Sequence, residues 1–488
     1  MAGEDGDSEG IIRRDRFSGG PARGFMSSLA ADERIFEADL AVDRAHVVML
    51  ASQDIIESEV ASEILAALDE VEAAGHDALS GGEDVHEAIE AAVIDIVGPD
   101  GGKMHTARSR NDEVATCIRY RLREDVLSAL DAALALRESL VETAAEHTET
   151  VMPGYTHLQP AQPTTVAHFL LSYERAVARD CARLLSAYER INQSPLGSAA
   201  FAGTPFDVNR ELVSDLLGFD RVMENSMDAA ATRDFLAETL SALTTHAVTL
   251  SGLAEDLVIF SNKGLVELSD DYSSTSSIMP QKKNPDTMEL VRAVAGDAVG
   301  ELTGLLTTLK GLPRAYNRDL QRAHKHAFRT VDDVAEAAAV AAGAVASATW
   351  PEDELVAAAG DGFSTATGVA DLLAMAGLPF RTAHEVVAEA AARSEGTPDV
   401  ATLDAVATDV LGESLFTHVT AEAVEAALDP TESVASRDSV GGPAPAAVEA
   451  TLSTARDELS DDTAAVADAR DSLAAAAEGL DEEVSSYV

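Results

Sequence analysis

From about Glu113 to Val151 the chain runs some 38 residues without glycine or proline, with Val126, Leu127, Leu130, Leu134, Leu136 and Leu140 at helical spacing. One long helix is the simplest reading. Comparable stretches cover 164–192, 229–263, 285–311 and 324–349, each 25 residues or more, so each helix is about 40 Å or longer at roughly 1.5 Å per residue. Five such helices predict a bundle. Broad Ala/Leu/Val faces such as Val334–Ala348 carry more apolar surface than one bundle hides, which predicts association of copies.

Ahead of the bundle, shorter helices are expected between glycine-rich turns at Gly19-Gly20, Gly81-Gly82 and Gly98–Gly102, and Gly360–Gly368 punctuates the chain behind it. The expected division is an N-terminal helical domain (1–112), a central long-helix bundle (113–358) and a C-terminal helical domain (359–488). The fold class is all-α. Neither an internal repeat nor a βαβ alternation is present. From Thr431 onward 13 acids meet 3 arginines around a Gly-Gly-Pro turn at 441–443, so the last helix reads as a solvated surface element.

Composition narrows the function. A length of 488 residues, 35 basic against 85 acidic side chains and a net charge of −50 make nucleic acid and anionic membranes poor partners. Hydrophobic content of 46% separates the chain from acidic disordered proteins. Only six lysines remain (103, 263, 282, 283, 310, 325), leaving 29 arginines. Acid spread along the whole chain with lysine nearly removed reads as adaptation to concentrated salt, where the Debye length shrinks to about 3 Å. Cys117 and Cys181 form no disulfide framework and lack metal-ligand spacing. The acidic start MAGEDGDSEG is unlike a signal peptide and no run reaches about 18 apolar residues. A cytoplasmic protein is expected.

Walker A, GxGxxG, HExxH and GxSxG patterns are absent, which removes the best support for nucleotide, zinc-protease and hydrolase readings. Polar turn-forming residues instead concentrate between the long helices. The segment 102–116 sets Arg108, Arg110, Asn111 and Asp112 at a helix start, where arginines attract carboxylates and Asn111 or Asp112 equally serves as a cap. The segment 152–163 carries Thr156, His157, Gln159 and Gln162 in a turn before the next helix, and a histidine there titrates near neutrality. The segment 273–285 is rich in Ser and Pro and holds Lys282 and Lys283 side by side, suited to an anionic substrate under a closing lid. The segment 316–325 adds polar donors.

The stretch 273–285 resembles the signature loop of the fumarase/aspartase superfamily, G-S-S-x-M-P-x-K-x-N-P, with Thr275 standing where the family usually has glycine. Within that superfamily, T-x-R-S-R-N-D-x-x-A-T at 106–116, Gly154–Gln159, Leu196–Ser198 with Ala202–Pro205, and Ala315–Gln321 resemble the argininosuccinate lyase family. The resemblance runs from about Arg16 to near Gly442.

That resemblance implies a carbon-nitrogen lyase performing reversible anti elimination of argininosuccinate to arginine and fumarate, the last step of arginine biosynthesis. It implies Ser276 as the base at carbon, Lys282 aided by Asn284 as stabiliser of the developing aci-carboxylate, His157 on the acid side and Glu289 orienting that histidine. Implied substrate contacts are Ser28, Arg110, Asn111, Thr156, Asn284, Tyr316 and Gln321. The family lysine three residues after that glutamine aligns with His324, while Lys325 follows one place later, and either is open for the role. No metal or organic cofactor is called for, since elimination needs only acid, base and anion stabilisation. The family implies a homotetramer with four sites, each drawn from three subunits. Rival readings are a sibling lyase (adenylosuccinate lyase, fumarase or aspartase) and a non-catalytic, crystallin-like structural protein.

Overall fold

A computed structural model describes residues 20–488, so Arg16, Gly19 and the acidic N-terminal decapeptide lie outside the described residues. The N-terminal region holds α1 (Gly20–Met26), α2 (Phe36–Ser52), α3 (Ser58–Ala74) and α4 (Val85–Val97). Gly20 opens α1 and does not form the expected turn, whereas Gly81 holds a positive φ of 87° in the bend before α4 and Gly98, at 91°, ends that helix.

The bundle follows as α5 (Arg110–Glu146), α6 (Val166–Ile191), α7 (Arg210–Leu216), α8 (Ser226–Ala231), α9 (Asp234–Lys263), α10 (Asp286–Leu309) and α11 (His324–Ala346). The five long elements fall within a few residues of the expected ranges, and the 229–263 stretch divides into α8 and α9 at Thr232-Arg233. Ser109 caps α5: its hydroxyl accepts from the α5 amides while Asp112 reaches back to the Ser109 N–H at 3.0 Å.

Two small antiparallel hairpins interrupt the helices. β1 (Val151–Thr156) pairs with β2 (Gln159–Thr165), and β3 (Ser274–Thr275) pairs with β4 (Lys283–Asn284). The first was expected as a turn, and Pro153, Pro160 and Pro163 are poor residues for a ladder. The structure accommodates them by pairing Pro153 with Pro163 next to a bulge. Gly154 is obligatory there, since a Cβ would stand 2.4 Å from the Gln162 carbonyl oxygen.

Beyond the bundle come α12 (Glu352–Gly360), α13 (Ala366–Met375), α14 (Phe380–Ala392), α15 (Val400–Leu411), α16 (Ala421–Leu428), α17 (Pro430–Ala435) and α18 (Pro445–Tyr487). Buried residues between Phe363 and Val424 form their own apolar core. α18 behaves differently from the solvated element expected. Val448, Leu452, Ala455, Val466, Leu480 and Val484 form a buried stripe joined to the core of the N-terminal helices and the bundle. Its acids are used as well: Asp462 bonds Arg137 of α5, whose Nε donates to Glu174 of α6 at 3.0 Å, and Glu458 meets Arg175 at 2.9 Å.

The side chains of Arg137 and Glu174 are fully buried, so removing Arg137 leaves the Glu174 carboxylate in a low dielectric with the half-exposed Arg175, at 2.6 Å, as its remaining charged partner. Arg137→Ala should cost about 3–5 kcal/mol. The Glu458→Gln change, at a half-exposed pair, should cost less than about 1 kcal/mol. Denaturant midpoints in concentrated KCl check both, and equal losses would refute the burial argument.

Candidate active site

A cavity of about 180 Å³ opens at the N-terminal end of α5. Ser28 from the turn after α1, Arg110 and Asn111 from the first turn of α5, and Tyr316 and Gln321 from the segment before α11 all line it. Five of the sequence-implied contacts are therefore brought together. The Ser28 hydroxyl donates to Asp32 Oδ2 at 2.7 Å, Asn111 Nδ2 to the Ala200 carbonyl at 3.1 Å and Gln321 Nε2 to the Met26 carbonyl at 3.0 Å. Asp112 ties in the Leu196–Ser198 motif by accepting from the amides of Gly197 at 3.0 Å and Ala199 at 2.7 Å. Burial pushes the Asp112 carboxyl up to about 6.

Thr156 and His157 stand elsewhere, exposed at the tip of the β1–β2 hairpin. His157 and Leu158 both hold positive φ, 56° and 58°, which makes the two-residue turn whose twist suits a hairpin. Each carries about 1 kcal/mol or more of left-handed strain. The hairpin lies beyond the far end of α5, and that 37-residue helix spans about 55 Å.

Ser276, Lys282, Asn284 and Glu289 form a third group around the start of α10. The Ser276 amide donates to the Lys282 carbonyl at 3.0 Å and its hydroxyl accepts from the Met279 amide at 3.1 Å, a bond that favours negative charge on that oxygen. The adjacent lysines part company. Lys283 is pinned to Asp270 at 2.8 Å and Glu267 at 3.5 Å, and Asp270 raises its pKa. Lys282 is exposed and donates to Asn284 Oδ1 at 2.6 Å, so it is the lysine with donors left for a ligand. Glu289 is exposed in the first turn of α10. α10 runs from this group toward the cavity that holds Tyr316, a length of 24 residues or about 36 Å.

His324 and Lys325 are placed differently. His324 is buried and lines the cavity, whereas Lys325 is exposed outside it. Burial pushes the imidazole of His324 down to about 4, so it is neutral at physiological pH. Asp32, Asp84, His86 and Arg233 also line the cavity and escaped sequence reasoning, because nothing in their spacing marks them. Behind His86 lies a buried network in which its Nδ1 meets Asp39 at 2.8 Å and Glu113 at 3.8 Å, while Arg108 bridges Asp43 and Glu113. Burial alone would disfavour the imidazolium, but Asp39 and Glu113 push His86 up to about 10. Burial likewise holds the Asp43 carboxyl well above its usual range.

Comparison with known proteins places this geometry. The family model described as Lyase matches residues 23–300, and that described as Argininosuccinate lyase C-terminal matches 363–435. The argininosuccinate lyase of Haloarcula marismortui is 67% identical over 490 residues, covering 100% of this chain and 98% of its own length. That of Natronomonas pharaonis is 68% identical over 487 residues, with 100% and 99% covered. Among solved structures, EDDS lyase in complex with formate superposes with a TM-score of 0.86 at 33% identity, covering 96% of this chain and 95% of that one. A class II fumarase from Schistosoma mansoni shares the fold, with a TM-score of 0.71 at 17% identity over 82% and 90% of the two chains.

The charge network behind the cavity sets a pH dependence. His86 is raised from 6.5 to about 10 in the folded chain, so its stabilisation is complete below pH 6.5 and is lost as pH rises toward 10. Denaturant midpoints at fixed KCl should fall across that interval, and a His86→Gln variant should start lower and fall less. Parallel slopes for the two proteins would remove His86 as the cause.

Proposed function

This chain belongs to the argininosuccinate lyase family of the fumarase/aspartase superfamily, carbon-nitrogen lyases that cleave argininosuccinate reversibly to arginine and fumarate, and from that premise we propose how its residues divide the reaction. Ser276 takes the proton from carbon, with its oxygen already receiving an amide hydrogen bond. Lys282 and Asn284 stabilise the aci-carboxylate that develops beside that carbon. His157, oriented by Glu289, serves the departing guanidino nitrogen. Ser28, Arg110, Asn111, Tyr316 and Gln321 hold substrate in the cavity at the start of α5, and Thr156 contacts it from the hairpin.

The observation that carries this reading is the grouping of five motif residues in one cavity while the hairpin and the signature loop lie at the other end of the bundle. Completion of the site therefore requires further copies packed antiparallel, and the proposed assembly is a homotetramer with sites drawn from three subunits. α10 supports it. Leu290, Val299 and Leu306 are 71%, 49% and 49% exposed, and a Cβ placed on Gly296 or Gly300 would meet no atom of another element within 4 Å. A long helix leaving such a face open in one chain suits burial against its counterpart. The three units 1–112, 113–358 and 359–488 are proposed as its domains, with α18 returning from the third across the bundle. The proposed setting is the cytoplasm, in the last step of arginine biosynthesis. The sibling-lyase and crystallin-like readings find no favour beside relatives that are 67% identical argininosuccinate lyases.

Ser276→Ala and His157→Asn should each lower turnover by a factor of about 10² or more, read as the absorbance of fumarate near 240 nm, with the tetramer intact. Co-refolded mixtures of the two variants should regain part of the activity, because some sites collect an intact serine and histidine from different chains. Hybrids that form yet stay inactive would place both residues in one chain's site.

Salt supplies a second test. A net charge of −50 per chain is self-repulsive unless screened. Activity and oligomer should be lost together in dilute buffer and return with concentrated KCl. Full activity without salt would overturn salt adaptation.

A further inference from the structure

We propose that Arg233, buried in the wall of the α5 cavity, is the anchor for the α-carboxylate of the substrate's amino-acid end, within a cavity whose mixed charges recognise a zwitterion. The inference rests on the functional reading above and adds the subsite that receives the arginine moiety.

Arg233 precedes α9 and is only 3% exposed. Its NH1 donates to the carbonyl oxygens of Thr232 at 2.8 Å and Ala230 at 3.5 Å, which are neutral acceptors, and its Nε has no hydrogen-bond partner. Among the described residues it has no carboxylate partner. Burial lowers its pKa to about 10, which leaves it charged at neutral pH. A desolvated guanidinium without a counter-ion is costly, and a carboxylate delivered by a ligand removes that cost.

Other buried arginines are accounted for differently. Arg137 and Arg108 are paired with carboxylates. Arg119 and Arg123 donate to backbone carbonyls and stack over Phe235 and Phe219, and neither lines the cavity. The remaining cations around the cavity are already engaged. Arg110 stands 3.6 Å from both Asp84 and Glu87, Arg318 pairs with Glu83, and His86 is held by Asp39. His324 offers no charge, and its Nδ1 lacks a partner. The imidazole beside it is neutral, so Arg233 is the cation of this wall that lacks a carboxylate partner among the described residues.

The opposite sign is present too. Asp32 and Asp84 line the same cavity, and Asp32 already engages Oδ2 with the Ser28 hydroxyl and the Val85 amide. Two carboxylates beside one unpaired guanidinium oppose a dianion such as fumarate but match an α-ammonium next to an α-carboxylate. The amino-acid end therefore enters here, and the succinate end faces the signature loop with Lys282.

Agmatine, which is arginine without its carboxylate, isolates the contact. Binding of L-arginine and of agmatine to the assembled enzyme in concentrated KCl, measured by calorimetry, should favour arginine at least tenfold. Arg233→Gln should abolish that preference by weakening arginine while agmatine binding holds, and should raise KM for argininosuccinate more than it lowers kcat. Adding His324→Lys to Arg233→Gln should restore part of the preference, because it returns a cation to the same wall. Unchanged arginine binding in Arg233→Gln, or equal weakening of both ligands, would overturn the inference. If Arg233→Gln does not assemble, Arg233→Lys decides: the preference must shrink severalfold with agmatine unchanged, and any other pattern counts against the anchor. A wild-type protein that does not cleave argininosuccinate sinks the functional reading instead, and that result is distinct from these.

Discussion

A straight helix cannot bring its own ends together, and this constraint shapes the whole molecule. α5 runs 37 residues and α10 runs 24, so the residues at their two ends stay separated by tens of ångströms whatever loops join them. The cavity with Asn111 and Tyr316 occupies one end, and the hairpin with His157 and the loop with Ser276 occupy the other. Under the proposed function, a site that uses all of them at one carbon-nitrogen bond would have to be shared between chains. The rigid bundle thus sets both distance and direction, and the open apolar face of α10 gives copies a reason to meet.

The acidic composition constrains how the interior is built. Of the 85 acids in the chain several are buried, and arginine is threaded through the helix contacts beside them. Arg137 joins α5, α6 and α18, while Arg108 and His86 together hold Asp39, Asp43 and Glu113 beside the cavity. These pairs are little affected by the salt that screens the surface. The same acids therefore stand in two settings: exposed ones repel one another unless salt screens them, and buried ones fix the walls of the site.

Much of this architecture was legible in the sequence because long apolar periodicity survives any tertiary context. The five bundle helices and the motif segments between them are of that kind. The β1–β2 hairpin was not, since three prolines and a glycine mask a ladder that exists only because a bulge and Gly154 allow close approach. α18 misled for a related reason: its apolar stripe is narrow, with a hydrophobic pattern diluted by acids, and the arginines that hold those acids come from α5 and α6, more than 280 residues away. The residues alone left the lysine pair undivided and the resemblance singled out Lys282; in the structure Lys283 ties the loop down while Lys282 keeps donors for a ligand. Arg233 carries no motif at all. Its meaning depends on what does not surround it, which only coordinates reveal.

Net charge makes such unpaired cations more informative here than in a neutral protein. Argininosuccinate is itself anionic, and at low salt a chain carrying −50 would repel it over distances far larger than a side chain. In molar salt the screening length falls to about 3 Å, so long-range repulsion disappears together with any long-range steering. Recognition is then confined to groups in direct contact, inside cavities where ions and water are excluded. Cations with donors free for a ligand stand at both ends of the bundle, Lys282 at the signature loop and Arg233 in the α5 cavity, and under the proposed function the end each one marks would set the orientation of the substrate.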